Sequence, residues 1–572
     1  MPPVKSLVKK PLERLKLLIG RSRVARDAVM QYRLRTGQPD WAHVTSSPAY
    51  RDLLASAGGD GAVRVLIATS DGAHLGGTRV ESLLTMALTA RGASVDVLLC
   101  DGALPACQEA TLHWYRDAAR FAKSGPSKLH CNGCFAPAHE MYRSLGVPVH
   151  RYSEQLTDDD RAWASHLAAT VPWKEIRAYR HDSVAVGEHA FAGAIRFYAS
   201  AYLVRGPVTE PIVRRYFEGA LLATKVTRRL LKTHRYHVAV FHHGIYVPQG
   251  LIGDVARQEH VRVVNWHVAY RKKTFIFSHG DTYHHTLMAE PVSTWDRMTW
   301  TQAQDDQVMA YLKSRWKGTG DWIHFNRAPQ DELDAIAREI GVDFAKPCIG
   351  MLTNVMWDAQ LHYPANAFND MLDWTLKTIG YFTSRPELQL LIRVHPAEVA
   401  GALPSLQPIV DEIRKVYPVL PPNVFVIPPE SKASTYAAML QCNAVIIYGT
   451  KTGVELTAMG IPVIVAGEAW IRNKGLTIDV ESERAYFELL DRLPLASRLD
   501  ADTVRRARQY AFHFFFRRMI PIAFTRISAG TPGFDFDVAG IEALGPGRDR
   551  GLDVICDGIL GETPFVFRAE EV

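Results

Sequence analysis

The chain has 572 residues, 47% of them apolar, and a net charge of +6. That length exceeds what one hydrophobic core usually serves, so two α/β domains with end segments are expected. The charge is uneven: residues 1–36 hold ten Lys and Arg against Glu13 and Asp27, which places +8 there and leaves −2 for the rest. A body without surplus positive charge argues against a nucleic-acid enzyme with a basic groove. No apolar run approaches the roughly 18 residues of a membrane-spanning helix. The opening MPPVKSLVKKPLERLKLLIG has too short an apolar stretch for a cleavable signal peptide. The expected compartment is therefore the cytoplasm. Seven cysteines are few for this length and odd in number, which speaks against a disulfide framework.

In chain order, residues 5–35 read first as a basic helix. Leu12, Leu15, Leu18, Ile19 and Ala25 recur at a rough three-to-four spacing among Lys and Arg. Such a segment suits an anionic membrane surface or a helix packed on the body. VRVLIATS from Val63 is a buried strand, SDGAHLGG a Gly-rich loop, TRVESLLTMALTARG a helix and SVDVLLC the next strand. That order opens a doubly wound sheet. A helix across 210–232, a strand at 237–243, a helix at 249–259 and a strand at 261–266 continue it, and residues 273–288 form a hairpin or loop excursion. A polar, Trp-rich stretch over 295–345 links to a second alternating unit. Its strands are CIGMLTN, LQLLIRVHP, VFVIPP, AVIIYG and PVIVAG, with helices at 366–383, at 433–441 and from TKTGVELTAMG. Residues 501–524 read as one long aromatic-rich helix that crosses back onto the first domain. Two facing Rossmann-like domains with a cleft between them, the GT-B architecture, are the predicted fold.

In an open α/β sheet, ligands sit outside the carboxyl ends of strands. Three segments of the second unit fall there. In Arg393-Val394-His395-Pro396 the proline stops the strand and fixes the loop, so His395 can reach a phosphate or ribose hydroxyl and Arg393 can add charge. In Gly449-Thr450-Lys451-Thr452-Gly453-Val454-Glu455 a strand enters a hydroxyl-rich turn that opens a helix, with backbone N–H groups and Lys451 suited to a diphosphate or phosphodiester. It is not a Walker loop, because the long glycine run before the lysine is missing. Thr353-Asn354-Val355-Met356-Trp357-Asp358 follows the unit's first strand, and Asp358 there can act in catalysis or bind acceptor hydroxyls.

LTNVMWDA, LLIRVHPAE and STYAAMLQCNAVIIYGTKTGVELTAMGIPVIVAGEAW, within residues 347–480, resemble the capsule-polysaccharide synthesis family of bacterial transferases. The His-Pro pair and the hydroxyl-rich turn are also similar to sialyltransferase and Kdo-transferase GT-B enzymes, in which they hold the nucleotide of a CMP-sugar. In the first unit, LLCDGALPACQ and CNGC are similar to segments of some family members. The resemblance implies a glycosyltransferase that moves a sugar from a nucleotide-sugar donor, such as CMP-Kdo, to a surface polysaccharide or lipid-linked glycan. It assigns residues 60–300 to an acceptor-side domain, 301–345 to a linker, 346–500 to a nucleotide-sugar-binding domain, 501–530 to a crossover helix and 531–572 to a C-terminal tail, behind a basic segment at 1–45. Arg393, His395, Pro396, Gly449, Thr450, Lys451, Thr452 and Glu455 are the donor-site candidates.

The chain departs from sialyltransferases in one respect: no acidic-acidic-Gly triplet stands in the first unit to supply the base. Position at strand ends nominates Asp71, then His243, then Asp281, with Asp358 next. No cofactor is implied. Cys131 and Cys134 admit a zinc reading, although a structural site usually wants two such pairs. Asp158/Asp160 and Asp535/Asp537 do not follow donor-domain strands, so an obligatory divalent metal is not expected. Rival readings are a CDP-linked glycerol or polyol-phosphate transferase, a sugar-nucleotide 2-epimerase, and a non-catalytic membrane assembly scaffold.

Overall fold

The computed structural model describes residues 23–322, 329–358 and 366–571. Two sheets organise these residues. The first is built from β1 (Arg64–Ser70), β2 (Ser94–Leu99), β3 (Val149–Arg151), β4 (Val238–His242), β5 (Arg262–Val268) and β6 (Thr274–His279). The second contains β7 (Cys348–Leu352), β8 (Gln389–Arg393), β9 (Val424–Ile427), β10 (Ala444–Ile447), β11 (Val463–Val465) and β12 (Ile478–Asp479).

In the first sheet β1 lies between β2 and β4, and β3-β2-β1-β4-β5 run parallel. β6 turns back antiparallel to β5, so the excursion expected over 273–288 becomes an edge strand followed by the helix Tyr283–Ala289. The second sheet is wholly parallel in the order β9-β8-β7-β10-β11-β12. That is the doubly wound Rossmann order, which reverses direction between its first and fourth strands and leaves a crevice there. Val65, Leu66, Ile67 and Ala68 of β1 are fully buried, as are Val445, Ile446 and Ile447 of β10. Helices cover both faces of such sheets, so their strands read as continuous apolar runs rather than as alternations.

Two sequence expectations change. The long helix over 501–524 ends early: Ala501–Phe512 is α-helical, His513–Arg517 widens into a π turn, and β13 (Ile520–Pro521) then pairs antiparallel with β6. Extra residues in a π turn shift the register of side chains at a helix end. The residues read as a C-terminal tail close the first domain, where Phe534, Ile541, Leu552, Ile555 and Phe565 join the core that also holds Val65, Leu83 and Val240. The described residues thus begin and end in the first domain and pass through the second between.

The helix Arg23–Gly37 docks on the helix Lys128–Ser144, with Gln31 donating to the Leu129 carbonyl at 3.0 Å and Ser127 to Asp27 at 3.1 Å. The rest of the basic segment, residues 1–22, lies outside the described residues. Among the described residues, no helix is long and apolar enough to cross a membrane. Between the domains, Ile276, Leu287 and Met288 of the first pack in one core with Trp470, Phe514 and Phe515. The two sheets therefore present their carboxyl ends to a shared cleft.

Candidate functional site at the interdomain cleft

The cleft has a volume of about 990 Å³ and is lined from both domains. Ligand pockets commonly occupy ~300–1,000 Å³, so this space is at the upper end of that range. The second-domain wall comes from the loops after β7, β8 and β10, which flank the switch point of the second sheet.

His395 follows β8. Its backbone N–H donates to Thr353 Oγ1 at 3.2 Å, which ties the loops after β7 and β8 together. Its ring Nδ1 accepts the Ala397 backbone N–H at 3.1 Å. An amide N–H only donates, so the neutral imidazole carries its proton on Nε2. Burial, Lys451 and Arg393 push its pKa down to about 4, which keeps the ring neutral at physiological pH. Pro396 opens the short helix Ala397–Ala400. Arg393, 2% exposed, is committed to structure: it donates to the Pro428 carbonyl at 2.5 Å, to Thr435 Oγ1 at 3.2 Å and to the Ser431 carbonyl at 3.3 Å. Its part is to hold the loop after β9 rather than to add free charge.

Gly449 to Thr452 form the turn after β10, and all four line the cleft. Thr450 Oγ1 accepts the Thr452 N–H at 3.3 Å. The following helix spans only Thr452–Ala458, so the positive charge of this turn resides in Lys451 rather than in a helix end. Lys451 Nζ sits 3.3 Å from Glu455 Oε1 and 4.7 Å from the ring centre of Tyr270, a first-domain residue. Glu455 is buried beneath the turn. Arg315 Nε lies 3.1 Å from its carboxylate, and Tyr436 donates its hydroxyl to it. Arg315 also pairs with Asp321, which accepts the Tyr311 hydroxyl at 2.6 Å. Burial alone would raise the Glu455 carboxyl, but Arg315 and Lys451 overcome it and hold the pKa at about 2. Lys451 is pushed below the usual lysine range by burial and by Arg315, against the pull of Glu455. The turn is therefore clamped from below by a buried Arg315–Glu455–Asp321 network reaching in from the segment read as a linker.

The other wall belongs to the first domain and is rich in imidazoles. His243, His267 and His284 line the cleft. His74 and His242 stand behind them, with ring centres 4.3 Å apart. His243 and Gly244 both take left-handed backbone angles, φ 62° and 84°, at the end of β4. A non-glycine residue in that region costs roughly 1–2 kcal/mol, and such strain clusters where a side chain is held for a purpose. The His243 ring stacks on Tyr246 at 5.2 Å. Tyr246 in turn donates its hydroxyl across the cleft to Asp358 Oδ1 at 2.9 Å. Burial and the neighbouring imidazoles drive His242 and His243 far below the usual histidine range, and His284 to about 3.

Of the residues nominated for the base, the structure brings His243 and Asp358 to the cleft and leaves two elsewhere. The Asp71 carboxylate turns away from the cleft lining, accepting from Gln108, from Cys134 Sγ at 3.6 Å and from the Ala73 N–H at 3.0 Å. Asp281 is half-exposed at the end of β6 and pairs with His285 at 3.0 Å and Arg257 at 3.5 Å. Burial opposes ionisation of Asp281, yet these partners hold its carboxyl below its ordinary value. Sequence reasoning missed Arg315, Asp321, Tyr436, Tyr270, His267, His284 and Trp470. Only the placement of His267 just past an apolar run could have signalled one of them. Cys100 and Cys107 come near Cys131 and Cys134. Among the described residues, the ligand atoms close enough to share one ion are instead those of Asp96, His150 and His234, away from the cleft.

No protein-family model and no curated protein matches the chain. Solved structures that resemble it include a KpsC beta Kdo 2,4 transferase from Thermosulfurimonas dismutans, at 12% identity over 54% of this chain and 88% of that one, with a TM-score of 0.34. The spinosyn rhamnosyltransferase SpnG, complexed with spinosyn aglycone, gives 13% identity over 79% and 95%, with a TM-score of 0.22. A UDP-GlcNAc 2-epimerase from Neisseria meningitidis, bound to UDP-GlcNAc, gives 11% over 61% and 95%, with a TM-score of 0.26. These likenesses are loose, and the architecture rests on the strand order itself: two Rossmann-like domains facing one another across a cleft, the GT-B arrangement.

Proposed function

We propose that the protein is a glycosyltransferase that takes a sugar from a nucleotide-linked donor held on the second domain and passes it to an acceptor bound against the first. The observation that carries this reading is the pairing, at the switch point of the second sheet, of an Nε2–H donor on His395 with the Lys451 ammonium in one cleft. Hydrogen bonds from charged or polarised donors to phosphate are among the stronger ones. Donors placed where charge develops on a leaving phosphate stabilise the transition state more than the ground state. Lys451, rather than a divalent ion, meets that charge.

The finer reading is a CMP-linked donor such as CMP-Kdo and a surface polysaccharide or lipid-linked glycan as acceptor. The His395-Pro396 pair and the hydroxyl-rich turn at Thr450 and Thr452 support it. A cytoplasmic enzyme working at the inner membrane face through residues 1–36 belongs to the same proposal. Incubation with a panel of CMP-, UDP-, GDP- and dTDP-sugars and mass spectrometry of the products tests it. Transfer from a CMP-sugar is the expected result. Sugar epimerised without any acceptor, or a CDP-linked polyol phosphate transferred instead, would replace it.

A further inference from the structure

We infer that His267 is the general base that accepts the acceptor's hydroxyl proton, a step that rests on the donor-site reading above. Of the imidazoles that line the cleft, His267 of the first domain and His395 of the second are held in opposite tautomers. His395 Nδ1 accepts an amide, so its Nε2 carries hydrogen. His267 Nδ1 lies 2.6 Å from the Val268 carbonyl oxygen. A carbonyl only accepts, so the neutral His267 ring carries its hydrogen on Nδ1 and its lone pair on Nε2. One ring is thereby set to donate and the other to accept. A base oriented by a second hydrogen bond on its far nitrogen is the arrangement proton abstraction needs.

The His267 ring is fixed in place by stacking on His242 at 4.8 Å and by the tilted Tyr283 ring at 5.2 Å, while it remains half-exposed to the cleft. The groups around it are His74 from the loop after β1, His242 at the end of β4 and His243 just past it, Tyr283 and His284 from the helix after β6, and Asp358 from the second domain. Burial, together with His74, lowers its pKa, so the lone pair is available at neutral pH; Val268 and Asp358 act the other way. Asp358 is the anion among these neighbours, and it is placed to balance the imidazolium that forms. In the step, the acceptor oxygen bonds to the anomeric carbon as its proton moves to His267 Nε2. The bond from that carbon to the phosphate oxygen breaks, and the phosphate leaves with the electron pair towards Lys451 and His395. His243 is a positioning residue here, stacked on the Tyr246 whose hydroxyl holds Asp358.

His267→Asn keeps an N–H for Val268 and removes the base; His267→Gln serves as a second variant. Nucleotide affinity by calorimetry and thermal stability are expected to match the wild type, while turnover of the donor found in the panel falls by about 10²–10⁴-fold. The acid limb of the wild-type kcat/KM profile, expected below pH 6.5, is expected to vanish from the residual activity. Turnover within fivefold of wild type in both variants, with the acid limb retained, overturns the assignment. A wild-type protein that binds no nucleotide overturns the donor-site reading, and this step with it.

Discussion

The two walls of the cleft are built on opposite electrostatic plans. The second-domain wall keeps full charges out of water by pairing them: Glu455 and Asp321 are both tied to Arg315, and Lys451 reaches the cleft from the same network. The first-domain wall gathers five imidazoles from the segments at the ends of β1, β4, β5 and β6, and burial lowers the pKa of each. Paired charge is stable and directional, which suits holding an anionic leaving group. A neutral imidazole offers a lone pair that can accept a proton, which suits a hydroxyl group. The proposed mechanism assigns nucleotide binding to the second domain and proton transfer to the first.

The largest expected effect comes from breaking the charged wall. Removing one member of a buried ion network strands its partners, at a cost of about 3–5 kcal/mol. Arg315→Met is expected to lower unfolding stability by that amount in denaturant titration and to abolish nucleotide binding. Loss of less than about 1 kcal/mol would mean that water reaches the network and that the two walls differ less than described.

Acid should separate the walls next. His284, with its pKa at about 3, and the depressed His242 and His243 stay neutral in the folded protein but protonate near 6.5 when unfolded. The unfolded state then binds more protons, so stability from this wall falls as pH drops below 6.5. Glu455, held at about 2 against an ordinary 4.5, contributes stability that is lost only as pH falls from 4.5 towards 2. Hydrogen exchange at pH 5.5 should therefore show opening at 242–243 and 283–284 before 311–316 and 451–455. The reverse order would contradict the assignment of charge states. His285, raised by Asp281 against burial, is the exception on the first-domain side and should resist this opening.

Sequence singled out the strand ends that line the second-domain wall, but little of the first-domain wall. His395 and Lys451 stand in strand-turn-helix contexts whose geometry follows from local chemistry. Arg315 and Asp321 pair within a polar stretch that nothing local marks as part of a site, because Glu455, the other partner of Arg315, is more than a hundred residues away and only the fold joins it to them. Asp71 was nominated by its strand end, yet a strand end does not determine which way a short side chain turns, and here it turns to Gln108. His267 hid among 22 histidines. β3 and β13, at three and two residues, are too short to show a period, and only their neighbours in the sheet make them strands.

The smallest effect concerns the basic segment, which belongs to neither wall. If residues 1–36 touch an anionic surface, deleting them should abolish sedimentation with anionic liposomes, and raising the salt should weaken binding of the intact chain. Binding unaltered by the deletion would exclude the segment. The helix Arg23–Gly37 is already docked on the body, so residues 1–22 would carry any such contact.

The central claim is that the second-domain wall holds the nucleotide through His395 and Lys451. Calorimetry with the nucleotide of the preferred donor tests it most directly. His395→Ala and Lys451→Ala should each weaken binding by about 1–3 kcal/mol, which is the loss of one charge-assisted hydrogen bond, while Asp281→Asn, outside the cleft, should leave it unchanged. Affinity equal to wild type in both the His395 and Lys451 variants would contradict the account.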